Sequence, residues 1–357
     1  MRIVIAKKTL STVGGSEMLA RALDRELRAL GHEVTLVGLR PAWRRPGIAE
    51  DRHSIFLPVR GGRLGAAIDG ILPTTLVAQA DLRRVVAGAE VVHSIAREWA
   101  SALERAARAE GAAFVETPLV HPGQPFSGDS ASEVSRYRRD DAVIALTEWE
   151  AGWYRERGVR NVHVSGLAPN LVALPDMPRE PATILFVGRK ERYKGYYALR
   201  DAARIVWRER PDARFIAIGQ PAWYARLFPA PRDPRWADLG IVSEEQKAAA
   251  YARSTIFAMP SDHETFGLTY LEAWMAGLPV IAGDIPPLRE VVREGIDGLH
   301  ARNEPRSIAR AILTLLGDPA RAAAMAASGR ERVRREFQWP LVARRTEAAY
   351  RSSIERA

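Results

Sequence analysis

Short apolar runs alternate with amphipathic stretches along most of the chain. The run Arg2–Ala6 is followed by a loop with Gly14 and Gly15, then by leucines at 19, 23, 27 and 30. That spacing of three to four residues gives one apolar helix face. Ser16 stands where it would cap the helix, and Gly31 where it would close it. A second strand is expected at residues 33–37, with further buried strands at 90–93, 113–116, Ala142–Ala145 and 161–164. Strands alternating with helices in this way predict an α/β class with mostly parallel sheets.

The alternation breaks at residues 168–183, which hold four prolines and neither a helical nor a strand period. Such a stretch reads as an interdomain linker. Beyond it come a strand at 184–187, a helix near 197–208, a strand at 215–218 and a long loop. A strand at Ile256–Met259, a helix near 267–276 and a strand at 279–282 follow. The economical architecture is two doubly wound, Rossmann-like domains facing each other across a cleft. The expected divisions are 1–168, a linker at 169–183, and 184–338. The amphipathic C-terminal helix in 339–357 would cross back to pack on the first domain.

Composition narrows the classes. A chain of 357 residues suits two domains, each of about 150–180 residues. With no cysteine there are no disulfides, thiolate metal sites or cysteine nucleophiles, which fits a cytoplasmic setting. The apolar start of the chain is short and is followed by Lys7 and Lys8, the reverse of secretory order. A formal net charge of +9 invites a nucleic-acid reading. Yet only five of the 52 basic residues are lysines, and the arginines are scattered among acids rather than gathered into blocks. Nucleic acid is therefore not the expected partner.

Chemistry concentrates in the second half. Gly188 and Arg189 end a strand, and Lys194 and Gly195 follow just before a helix. Open parallel sheets bind ligands at the carboxyl ends of their strands, where these cations would meet a diphosphate. Alone, the loop is equally well a basic surface. Glu264 lies after the strand Ile256–Met259 and Glu272 lies eight residues on, inside a helix. Residues 265–268 then form a helix N-terminus, whose free N–H groups and dipole favour an anion. Each glutamate by itself is ordinary, one as a solvated helix carboxylate and the other as a cap.

Together, the segments GRKERYKG and PSDHETFGLTYLEAWMAGLPVIAGDIPPLREVVREGIDGLH resemble the donor-binding half of the family-4 retaining glycosyltransferases of GT-B fold. Glu264 and Glu272 match that family's paired-glutamate signature. The resemblance implies that Arg189 and Lys194 hold the donor diphosphate, with Gly188 and Gly15 close to it. It implies that Glu264 binds the transferred sugar beside the backbone of Phe266, Gly267 and Leu268, and that Glu272 holds the ribose. The loop around Leu239 would receive the base. The implied activity moves a hexosyl group from a UDP- or GDP-linked sugar to a hydroxyl acceptor by front-side attack. That acceptor is a metabolite, a polysaccharide or a lipid-linked glycan. No Asp-X-Asp motif occurs, so no metal or other cofactor is expected.

In the first half, His121 is the candidate facing sugar or acceptor, and His93 a lesser one. Glu116 and Glu148 stand near strand ends without a feature that makes either a nucleophile. Trp43, Trp99, Trp149, Trp153 and Arg44, Arg45 and Arg60 admit a peripheral membrane contact as well as an ordinary core and solvated face. A nucleotide-sugar epimerase, a glycan phosphorylase and a non-catalytic sugar-nucleotide binder remain alternatives. A dinucleotide dehydrogenase does not, because the loop after the first strand lacks G-X-G-X-X-G.

Overall fold

β1 (Arg2–Ala6) and β2 (Glu33–Leu39) lie side by side in parallel, joined by the helix Gly15–Ala29. With β3 (Ser54–Leu57), β4 (Val91–Ile95), β5 (Ala113–Thr117), β6 (Ala142–Ala145) and β7 (Val162–Val164) they form one sheet, ordered β3-β2-β1-β4-β5-β6-β7. Every pairing in it is parallel. The computed structural model describes residues 1–10, 14–40, 54–60, 77–124, 127–225 and 231–356. The linking helix buries Leu19, Leu23 and Leu27 of the expected stripe, whereas Leu30 is its C-cap and is exposed. It starts earlier than expected: the N-cap is Gly14, in extended backbone, and not Ser16. Ser16 lies within the first turn and donates its hydroxyl to Glu17 Oε2 at 3.0 Å. The chain closes this unit with the helix Trp339–Ile354, which packs on the helix Gly15–Ala29 and on β5, β6 and β7. The unit comprises Met1–Leu167 and Trp339–Ala357.

The second unit, Ala168–Gln338, holds a sheet ordered β10-β9-β8-β11-β12-β13. Its strands are β8 (Thr183–Val187), β9 (Arg214–Ile218), β10 (Trp236–Gly240), β11 (Ile256–Met259), β12 (Val280–Gly283) and β13 (Gly298–Ala301). Thr183, expected as the last linker residue, is already in β8. Residues 165–180 carry no helix or strand.

The long loop expected after β9 is the main correction. It contains β10 and the helix Glu244–Arg253. β10 is an edge strand in which only Trp236 is buried, so it shows no apolar run or alternation to read. Ser243 and Gln246 form a reciprocal capping box that starts the helix. In both sheets the strand order reverses beside the first strand of the unit, between β1 and β4 and between β8 and β11. That switch point opens a crevice at the carboxyl ends. Among the described residues no helix is long and apolar enough to cross a membrane.

Candidate functional site

The loops that follow β8 and β11 are stitched together at the switch point of the second unit. The backbone oxygen of Tyr193 accepts from Asp262 N at 2.7 Å and from Ser261 Oγ at 3.1 Å. Gly195 turns this loop into its helix with φ 77, in the left-handed region. A Cβ there would sit 2.6 Å from the Pro260 carbonyl oxygen, so any side chain would push the two loops apart.

This stitching gathers the charged candidates. Arg189 and Lys194 both reach the ring of Tyr193, at 5.5 and 5.3 Å from its centroid, and Arg189 also donates to its hydroxyl. Burial pushes the Tyr193 hydroxyl up to about 12 against the pull of Arg189, so it stays a neutral hydrogen-bonding group. Lys194 is ion-paired with Glu264 across the two loops, with both side chains mostly buried. Residues placed separately by their sequence thus form a cation–carboxylate pair beside a second cation.

Immediately after Glu264 the chain enters the helix Leu268–Met275. Its N-cap is Gly267, with φ 86, where a Cβ would collide with the Tyr270 ring at 2.3 Å. No side chain caps this end; Tyr270 N donates to the Gly267 carbonyl at 3.0 Å, and the N–H groups before it have no acceptor within the helix. Phe266 is buried and packs edge-on against Phe337. Glu272, one turn in, is 1% exposed. Its Oε1 lies 3.3 Å from Lys247 Nζ, and its Oε2 accepts from the Tyr251 hydroxyl at 3.0 Å. Burial raises its pKa, while Lys247 and Tyr251 oppose the rise. A solvated helix carboxylate is thereby excluded.

The sequence reading missed Lys190, which is buried and paired with Asp238 in the middle of β10. The Tyr196 hydroxyl donates to the other oxygen of Asp238 at 2.6 Å. Lys247 and Tyr251 were missed too, because their helix lay in the supposed loop. The capping signal Ser243-x-x-Gln246 was the available clue. Leu239 is in the strand rather than a loop; it and Ile241 are exposed, at 41% and 76%. Gly188 leaves β8 with a Cβ position 3.1 Å from Met259 Sδ, a close approach that disfavours a side chain.

In the first unit, Gly15 is the first residue of its helix, with open space where a Cβ would project. Thr12 and Val13, of the same loop, lie outside the described residues. His121 sits half-buried in the turn after β5, where its carbonyl accepts from Gln124 N at 3.1 Å. His93 is fully buried with both ring nitrogens engaged, by the Tyr350 hydroxyl at 2.7 Å and Thr117 Oγ1 at 2.8 Å. It is a structural residue that ties the C-terminal helix to the sheet.

Burial pushes the pKa of His93 down to about 3, from an ordinary 6.5. The folded chain therefore keeps it neutral while the unfolded chain protonates it below about 6.5. Its stabilising effect is intact above that pH and is lost as pH falls toward 3. Denaturant titrations at pH 7 and pH 5 should show about 2 kcal/mol of acid destabilisation that His93→Gln lacks. Equal losses in both proteins would refute this.

Glu116 is buried against Arg136, and burial raises it to about 7 while Arg136 opposes. Glu148 is largely exposed and pairs with Arg155 at 3.2 Å. Neither arrangement is that of a poised nucleophile. Trp99 and Trp153 are buried, at 1% and 8%, and therefore belong to the core rather than to a membrane face. Trp43, Arg44 and Arg45 lie outside the described residues. Among the described residues no group of three or more His, Asp or Glu side chains has the arrangement of a metal site.

Two family models match the chain in succession. Residues 14–170 match the family model described as a glycosyl transferase 4-like domain, and residues 181–318 that described as glycosyl transferases group 1. D-inositol 3-phosphate glycosyltransferase 1 of Catenulispora acidiphila is 26% identical, over 96% of this chain and 91% of its own length. The chain spans about half the length of several other curated relatives, such as the D-inositol 3-phosphate glycosyltransferase of Thermobispora bispora, 32% identical over 45% of its own length. Among solved structures, sucrose-phosphate synthase of Thermosynechococcus elongatus superposes with TM-score 0.81 at 20% identity, over 100% of both chains. HepE of Anabaena, solved with UDP and glucose, does so with TM-score 0.76 at 17% identity, over 98% of each. These superpositions make the fold GT-B.

Proposed function

We propose that this chain, which matches glycosyl transferase family models over residues 14–170 and 181–318, moves a hexosyl group from a UDP- or GDP-linked sugar to a hydroxyl acceptor. The reading includes retention at the anomeric carbon, independence of metal, and a cytoplasmic setting. The observation that carries it is the Lys194–Glu264 pair, held beside Arg189 and next to a helix N-terminus without a side-chain cap. Departure of a nucleoside diphosphate builds negative charge on phosphate oxygen. Cations and N–H groups already in place stabilise that charge without reorganising. Arg189 and Lys194 take this part, and the N–H groups following Gly267 join them. Glu264 accepts from sugar hydroxyls, and Glu272 from the ribose diol. The UDP and glucose bound by HepE support a uridine-linked donor as the first to try.

The test is a thermal-shift and denaturation panel of UDP-, GDP- and ADP-sugars on the wild type and Glu272→Ala. A true donor at 100 times its dissociation constant should add about 2.7 kcal/mol to the wild type, and much less to the variant. If no nucleotide sugar stabilises the wild type, the reading fails. Acceptor-dependent release of nucleoside diphosphate then separates transfer from epimerisation and phosphorolysis.

A further inference from the structure

We propose that Lys247 is a positioning residue for nucleotide binding, its ammonium keeping the buried Glu272 carboxylate ionised and turned toward the ribose diol. The ribose half of this rests on the donor reading above; the ion pair stands on the geometry.

Glu272 has a side chain only 2% exposed and Lys247 one 12% exposed, with Nζ 3.3 Å from Oε1. The ammonium also meets Glu244, its i−3 neighbour, at 2.7 Å, and so is steered from both sides. The capping box at Ser243 sets where the helix Glu244–Arg253 begins. That start places Lys247 and Tyr251, four residues apart, on the one face that meets Glu272. The charged and titratable groups acting on Glu272 are Lys247, Tyr251 and Glu244, all from this helix.

A carboxylate so deeply buried favours its neutral form unless a cation answers it. Tyr251 supplies a hydrogen bond but no charge, and Glu244 repels. Lys247 is therefore the group that keeps the proton off. The difference matters to a diol. An ionised carboxylate accepts from two hydroxyls at once, whereas a protonated one has given up an acceptor site and carries a donor. Lysine is also uncommon in this chain, at five of 52 basic residues. A compact ammonium fits between two carboxylates where a planar guanidinium fork would meet them differently.

The experiment follows Glu272 directly. In ligand-free protein carrying carboxyl-labelled glutamate, the Glu272 signal, assigned with Glu272→Gln, is titrated by NMR in the wild type, Lys247→Met and Lys247→Arg. Lys247→Gln provides a second uncharged variant if methionine prevents folding. The midpoint should rise by about one unit or more when the charge is removed and return toward the wild-type value with arginine. Dissociation constants for UDP and GDP are measured on the same proteins from pH 6 to 9. At pH 7 the uncharged variants should bind about tenfold more weakly. The deficit should shrink as pH rises, because Glu272 ionises at last. A packing role for the lysine stem would weaken binding equally at every pH and leave the midpoint unmoved, and that result overturns the proposal. A wild type that binds neither nucleotide overturns the donor reading and the ribose half with it, while the titration still judges the ion pair.

Discussion

Replacing Lys194 with alanine is expected to slow glycosyl transfer by about 10²–10³-fold, the usual effect of removing one preorganised group from a developing oxyanion. The loss should fall mainly on kcat, because phosphate charge grows as the glycosidic bond breaks and is smaller in the bound ground state. Nucleotide-sugar affinity should weaken less. The substitution also strips Glu264 of its partner, and Glu264 has a side chain only 9% exposed. Folding is therefore to be checked by circular dichroism alongside the rate. Arginine at this position should restore only part of the activity, since its fork cannot reproduce a point charge between Tyr193 and Glu264. Steady-state release of nucleoside diphosphate, with acceptor present, is the measurement. A rate within threefold of wild type would remove Lys194 from the chemistry.

Trp274→Ala is expected to destabilise the second unit by about 3–5 kcal/mol, the range for truncating a fully buried tryptophan. The indole is entirely buried, its Nε1 donates to the Asp297 carbonyl at 2.8 Å, and its ring stacks on Phe337 at 6.5 Å. It also presses so closely on Gly329 that a Cβ there would lie 2.2 Å away. The helix Leu268–Met275 carries Trp274 two residues after Glu272, so this packing anchors the helix from behind while Glu272 serves its other side. Urea unfolding followed by far-ultraviolet circular dichroism checks the magnitude. The unfolding should be fitted with two transitions, because a chain of two units need not melt as one. Trp274→Phe should lose clearly less, keeping stacking while giving up the hydrogen bond. A cost under about 1 kcal/mol for alanine would mean that the site collapses around the gap.

The central strands of both sheets were legible because parallel strands with helices on both faces are largely apolar; β6, β8 and β11 are buried along their whole length. β10 was not, for the same physical reason in reverse: an edge strand with one buried residue carries no pattern. Its loss concealed the helix after it, and with that helix Lys247 and Tyr251. Ser16 was misplaced because a serine near a helix start fits either the cap or the first turn. Only the neighbouring Glu17 and the extended backbone of Gly14 decide between them.

By itself the sequence determined the class, the break between the two halves, and four candidate residues for a donor site: Arg189, Lys194, Glu264 and Glu272. The class and the break follow from local periodicity, and the four candidates from charged residues about strand ends together with the family resemblance they carry. What it left open was which of them touch. Residues 70 apart, such as Lys194 and Glu264, meet only because the strand order reverses beside β8, so that the loops after β8 and β11 converge. The same holds for His93, whose partner Tyr350 lies 257 residues away. Glycines at 195 and 267 show why the outcome is specific: each permits a left-handed turn and a close contact that a Cβ would forbid. Ion pairing, burial and the resulting protonation states depend on such contacts between distant segments. No local pattern contains them, and the tertiary structure alone decided them.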